Sequence, residues 1–88
     1  MKPDREQIVV YATAWCPDCM RARRVLDRRH ADYRWVDIDQ DAQARDYVEE
    51  LNRGFRSVPT IVFPDGSVLV EPSDWELSDR LAAMSRPT

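Results

Sequence analysis

Ile8-Val9-Val10-Tyr11-Ala12-Thr13-Ala14-Trp15-Cys16-Pro17-Asp18-Cys19 is the stretch on which the reading of the chain turns. From Gln7 to Thr13 it is rich in β-branched and aromatic residues and short enough for a buried strand. Cys16 and Cys19, the two cysteines of the chain, close it with Pro17 and Asp18 between them. From Pro17 to about His30 the pattern turns helical, with Cys19, Ala22, Val25, Leu26 and the stem of Arg29 at three- and four-residue spacing. Proline suits a first helical turn, where its missing N–H costs nothing, so Cys16 falls at or near the N-cap. Tyr33 to Ile38 reads as a second strand, and its distance from the first suits a βαβ unit.

Beyond this unit, Asp41 is placed to cap a second helix with Ala44, Tyr47, Val48 and Leu51 on one face and Gly54 as its stop. Thr60 to Phe63 and Ser67 to Val70 are short strands around Pro64-Asp65-Gly66, a hairpin signal resting on turn-adapted residues. Ser73-x-x-Glu76 is a capping box opening a third helix, with Leu77, Leu81 and Met84 expected to face inward. The order is β-α-β-α-β-β-α.

Composition narrows the class. With 88 residues, 43% hydrophobic and 33% charged, the chain has room for one small domain, expected to span 1–88 with a core at about 7–84. These fractions argue against a disordered or low-complexity polymer. The longest apolar stretch, Ile8 to Trp15, falls far short of the roughly 20 residues a spanning helix needs. The opening Met1-Lys2-Pro3-Asp4-Arg5-Glu6 lacks the apolar segment of a secretory signal, so a cytoplasmic location is expected. Twelve of the 13 basic residues are Arg, yet the net charge is −3, which disfavours a nucleic-acid or anionic-membrane partner.

Two thiols supply half of the usual four-ligand structural zinc set, and only His30 stands in reserve, so no metal site is expected. A C-x-x-C pair inside a βαβ unit reads instead as a redox motif. A thiolate, not a thiol, attacks a disulfide, and the positive end of a helix stabilises an anion at its N-terminus, which makes Cys16 the nucleophile. Cys19, one helical turn on, is placed to resolve the mixed disulfide.

Trp15-Cys16-Pro17-Asp18-Cys19, the Ser57-Val58-Pro59-Thr60 run and the element order resemble the glutaredoxins of the thioredoxin superfamily. Within them, Thr13-Ala14-Trp15-Cys16, Asn52-Arg53-Gly54, Asp65-Gly66-Ser67 and Pro72-Ser73 look most like mycoredoxins. The likeness runs from about residue 7 to 84. It implies an α/β thioredoxin-like fold, with a four-stranded mixed sheet flanked by three helices. It also implies a cis Val58-Pro59 bond packed against the cysteines, leaving the Val58 backbone to pair with a substrate peptide.

The resemblance extends to further site residues. Ser73 and Asp74 stand where glutaredoxins hold the amino end of glutathione, although Pro72-Ser73-Asp74 replaces the usual Gly-Gly before the acids. Arg56 is a candidate for a small thiol's carboxylate through a bidentate pair, or else an exposed solubilising residue. Trp15 offers a shield and stacking face, whereas Trp35 and Trp75 read as packing residues. Thr13 stands where many glutaredoxins carry Lys for the glutathione carboxylate, which counts against glutathione. Asp18 replaces a common Tyr. Its charge opposes ionisation of neighbouring thiols while stabilising the helix start, so Pro17 and Asp18 are the tuning positions.

The leading expectation is a monomeric dithiol–disulfide oxidoreductase with no tightly bound cofactor. Its co-substrate would be a low-molecular-weight thiol such as mycothiol or a glutathione relative, and its partners disulfide-bearing proteins. The alternatives are a thioredoxin-like donor recycled by a flavoprotein reductase, an iron–sulfur carrier sharing a cluster between two chains, and a non-catalytic binding module. Arg21, Arg23, Arg24, Arg28 and Arg29 with His30 are either a steering surface for an acidic partner or ordinary helix stabilisers.

Overall fold

The computed structural model describes residues 7–84; the reading of Met1 to Glu6 lies outside the described residues. In chain order the elements are β1 (Ile8–Ala12), α1 (Pro17–Arg28), β2 (Tyr33–Asp37), α2 (Ala42–Leu51), β3 (Thr60–Val62), β4 (Val68–Val70) and α3 (Asp74–Met84). β1 is central: it pairs in parallel with β2 and antiparallel with β3, and β4 closes the order β2-β1-β3-β4. This is a thioredoxin-like fold, with a mixed sheet and three helices.

Alternation along β1 sorts the core into two layers. Ile8, Val10 and Ala12 are buried with Cys16, Cys19, Ala22, Val25 and Leu26 of α1, Ile61 and Phe63 of the hairpin, and Leu77 and Leu81 of α3. On the opposite face, Ile38, Ala44 and Val48 form a smaller cluster against which Tyr11, Val36 and Val58 pack. α1 and α3 therefore share one face of the sheet, and α2 covers the other. Among the described residues no helix is long and apolar enough to cross a membrane.

Helix ends are set by backbone geometry that apolar spacing does not report. α1 stops at Arg28 because His30 adopts a left-handed φ of 56°. The His30 N–H then donates to Asp27 O at 3.0 Å and the Ala31 N–H to Leu26 O at 2.9 Å. That pair of bonds is a Schellman termination with histidine in the place usually taken by glycine. Arg29, expected to lay its stem on the core, is the exposed C-cap. α2 ends similarly: Arg53 takes the left-handed position at φ 57°, and Gly54, at φ 94°, donates its N–H to Glu49 O at 2.6 Å.

Three further inward expectations are corrected. On α2 only Ala44 and Val48 are buried. Tyr47 is partly exposed, its ring tilted against Tyr11 at 5.5 Å between centroids, and Leu51 is exposed at the last turn. Met84 ends α3 beside an open groove shared with Ile8, His30, Ala31 and Leu81 rather than in the core. The hairpin turn follows its residues: Asp65 Oδ1 accepts from the Ser67 N–H at 2.9 Å, and Gly66 supplies the φ of 90° that the turn requires.

Candidate active site around Cys16 and Cys19

Cys16 is the N-cap of α1, with extended φ and ψ of −91° and 111°, and Pro17 follows as the first helical residue. Its sulfur fills the role an N-cap oxygen usually plays: the Cys19 N–H donates to Cys16 Sγ at 3.0 Å. A thiolate accepts such a bond more strongly than a thiol. The Met20 N–H donates to Cys16 O at 3.1 Å and begins the helical ladder. Both cysteines are free thiols, and both are buried.

The other wall of the site comes from the segment before β3. The Val58–Pro59 peptide bond is cis, as the resemblance implied. Cys16 Sγ donates toward Val58 O at 3.8 Å. Pro59 is buried, and its carbonyl accepts from the Glu71 N–H at 2.9 Å, which ties the segment to the end of β4. Thr60 pairs with Tyr11 in the sheet, so the segment is anchored beside the end of β1 from which the cysteine motif emerges.

Cys19 sits deeper, with 0% of its surface exposed. Burial pushes its thiol up to about 12; its hydrogen bond with Cys16 and the charges of Cys16 and Asp18 act in the same direction, while the Thr13 backbone opposes them. Thr13 is 2% exposed, so the position at which many glutaredoxins carry Lys faces the interior rather than the site's mouth.

Asp18 does not stand alone. Arg21 Nη1 lies 3.0 Å from Asp18 Oδ1, and Arg21 Nε donates to Asp74 Oδ1 at 3.0 Å. One guanidinium thus joins the motif helix to the start of α3 and contacts two carboxylates. Ser73 and Glu76 form the expected capping box: the Glu76 N–H donates to Ser73 Oγ and the Ser73 N–H to Glu76 Oε1, both at 3.0 Å. The Ser73 hydroxyl is therefore a helix cap, and the Asp74 carboxylate an ion-pair partner.

Trp15 is 73% exposed beside Cys16, and its indole N–H donates to Asp39 Oδ2 at 3.1 Å. Trp75, read as packing, is also 73% exposed, because Leu77 and Leu81 turn the opposite face of α3 inward. Trp35 does pack on the core, and the Arg23 guanidinium lies over its ring at 4.7 Å. Arg56 Nε donates to Glu49 Oε2 at 2.8 Å, so this exposed cation already has a carboxylate. Among the described residues no group of three or more His, Cys, Asp or Glu could hold a metal ion.

The structure brings Trp15, Cys16, Pro17, Asp18 and Cys19 together with Val58 and Pro59. Asp74 joins through Arg21, Ser73 as its neighbour, and Arg56, two residues before Val58, is paired with Glu49. The residues missed from sequence are Arg21 as a bridge and Asp39 as the Trp15 partner. The i, i+3 spacing of Asp18 and Arg21 was a usable signal, but Asp74 lies 53 positions from Arg21 and Asp39 lies 24 from Trp15.

The chain is similar in sequence and fold to known proteins. Mycoredoxin 1 of Corynebacterium glutamicum is 35% identical over 78 residues, covering 89% of this chain and 96% of its own. The crystal structure of the thioredoxin-like protein BC3987 superposes with a TM-score of 0.73 at 29% identity, over 85% of this chain and 99% of that one. NrdH-redoxin from Escherichia coli, a glutaredoxin-like protein, shares the fold with a TM-score of 0.71 at 18% identity, over 93% of this chain and 97% of its own. The Glutaredoxin family profile matches residues 8–69. A free cysteine pair at a helix start beside a cis-proline segment, together with these likenesses, shows that the chain belongs to the glutaredoxin family of thiol–disulfide oxidoreductases.

Proposed function

We propose that this protein reduces mixed disulfides and protein disulfides through Cys16 and Cys19 and is recycled by a low-molecular-weight thiol, mycothiol before glutathione. The observation that carries the proposal is the Cys16 sulfur at the N-cap of α1, accepting the Cys19 N–H at 3.0 Å. There the helix end stabilises the negative charge that attack requires.

Cys16 thiolate attacks one sulfur of the substrate disulfide, and the first substrate half leaves as a thiolate. Cys19 then gives up its proton to solvent and attacks Cys16 Sγ. The second substrate half leaves with the bonding electron pair, and a Cys16–Cys19 disulfide remains. The substrate gains two electrons and the protein loses two, which two molecules of small thiol restore. Burial of Cys19 supports this division of roles, because a thiol that meets only Cys16 need not be open to solvent. Val58 O lies 3.8 Å from Cys16 Sγ; in this reading the Val58 backbone takes the substrate peptide, and the exposed ring of Trp15 offers it an apolar face.

Two observations favour mycothiol: the similarity to Mycoredoxin 1 and the buried Thr13 at the place of the glutathione-binding Lys. A cytoplasmic monomer with no tightly bound cofactor fits this role. The test is to reoxidise the reduced protein with the mixed disulfides of mycothiol, of glutathione and of a target protein. Fastest oxidation by the mycothiol species is expected; faster oxidation by the glutathione species would overturn the assignment of the recycling thiol.

A further inference from the structure

We infer that Arg21 is a positioning residue for the resolving half-reaction: it holds and neutralises the Asp18 carboxylate so that Cys19 can ionise beside it. This rests on the proposed roles of Cys16 as nucleophile and Cys19 as resolving thiol.

The geometry supplies the argument. Asp18 lies within the cysteine motif, and its carboxylate is held at 3.0 Å by Arg21 Nη1. The same guanidinium is fixed from the other side by Asp74 Oδ1 at 3.0 Å, so it is anchored in α3 rather than free to swing with α1 alone. An isolated exposed ion pair contributes little to stability, and this one is partly exposed. Its consequence is local charge. Of the influences that oppose ionisation of Cys19, the hydrogen bond and the charge of Cys16 belong to the reduced thiol pair. Once Cys16 is held in a mixed disulfide it carries neither a thiol proton nor a charge. Burial and the Asp18 charge then remain to oppose ionisation, with the Thr13 backbone favouring the thiolate; from α3, Asp74 reaches the motif through Arg21. Burial cannot be relieved without opening the core, whereas the Asp18 charge is open to compensation, and Arg21 is the group that compensates it.

The step is a balanced exchange. Cys19 loses its proton to solvent, its sulfur bonds to Cys16 Sγ, the bond between Cys16 Sγ and the substrate sulfur breaks, and the substrate thiolate departs with the electron pair. Arg21 touches none of these sulfurs and acts through Asp18. Removing Arg21 leaves the Asp18 charge uncompensated, so Cys19 ionises less readily and the thiolate fraction at neutral pH falls, on the order of tenfold. The more basic thiolate is about threefold more nucleophilic, so the net slowing is about threefold.

The experiment mixes reduced protein with less than one equivalent of 4,4′-dithiodipyridine, an uncharged disulfide, and follows release of thiopyridone. The first release reports attack by Cys16 and the second reports resolution by Cys19. In Arg21→Gln the second phase should slow about threefold and its pH profile should move to higher pH. The added substitution Asp18→Asn should restore the second phase, and Arg21→Lys should retain most of it. A merely structural role for Arg21 would leave the Asp18→Asn background just as slow, and that result overturns the inference, as does an unaltered second phase in Arg21→Gln. Release of only one thiopyridone per disulfide by the unmodified protein would instead overturn Cys19 as the resolving thiol, and the inference with it.

Discussion

Cys16 Sγ lies 3.8 Å from the carbonyl oxygen of Val58, a residue 42 positions further along the chain. That contact joins a helix N-terminus to a cis-proline segment at the sulfur on which the proposed reaction begins. The chemistry on either side of it can be separated by substitution.

Cys16→Ser should abolish reduction of a mixed disulfide, since Cys16 is the thiol at the helix start beside Val58. Cys19→Ser should instead accumulate a covalent adduct on Cys16. Intact-mass measurement after incubation with a disulfide substrate checks this; no adduct in Cys19→Ser, or full activity in Cys16→Ser, would reverse the roles.

The buried thiol of Cys19 predicts an alkaline loss of stability. Its titration is pushed from an ordinary value of 9.0 up to about 12 in the folded protein. Between these limits the unfolded chain has released the proton and the folded chain retains it. The unfolded state therefore binds fewer protons, and unfolding free energy falls as pH rises. The contribution is intact below pH 9.0 and is lost progressively toward about 12. Urea denaturation of the reduced protein at neutral and alkaline pH should show a steeper alkaline decline than Cys19→Ser; parallel curves would contradict it.

Ser73→Ala removes the hydroxyl that accepts the Glu76 N–H. Stability should fall by about 1 kcal/mol, the usual cost of losing such a cap. Chemical denaturation measures the loss, and rates at substrate saturation should change less than stability does. A raised KM with unchanged stability would instead make Ser73 a substrate ligand.

Glu49 competes for Arg56. If Arg56 can receive a small thiol's carboxylate, Glu49→Gln should free its guanidinium and lower KM about twofold for a carboxylate-bearing thiol such as glutathione, at low salt. The KM for an uncharged disulfide should not move. Equal KM values for glutathione in both proteins would place Arg56 outside the site.

Leu26 is fully buried between the sheet and α1. Leu26→Ala should lower stability by about 2 to 5 kcal/mol, since the packed layer can close only part of the space left. Equilibrium denaturation checks the magnitude, and a loss below about 1 kcal/mol would mean that the layer repacks.

Local chemistry made much of this protein legible in one dimension. Gln7 to Thr13 read as a strand because its residues are β-branched and apolar, Pro17 marked the start of α1, and Asp65-Gly66 and Ser73-x-x-Glu76 specified their own turn and cap. These signals act over a few residues, so neighbours in sequence suffice to read them, and with them came the element order and the cysteine pair. Helix ends were less legible: His30 and Arg53 take left-handed φ angles that their residue types do not advertise. Only the tertiary structure decided which of the marked residues act together. It buried Ala44 and Val48 but left Tyr47 and Leu51 at the surface, because one short helix covers that face of the sheet. It set Val58 against Cys16, gave Asp39 to Trp15, and placed Arg21 between Asp18 and Asp74. Those contacts arise where chain segments far apart in sequence are brought to one end of the sheet by strand pairing and burial, and no local preference encodes which carboxylate a guanidinium will meet there.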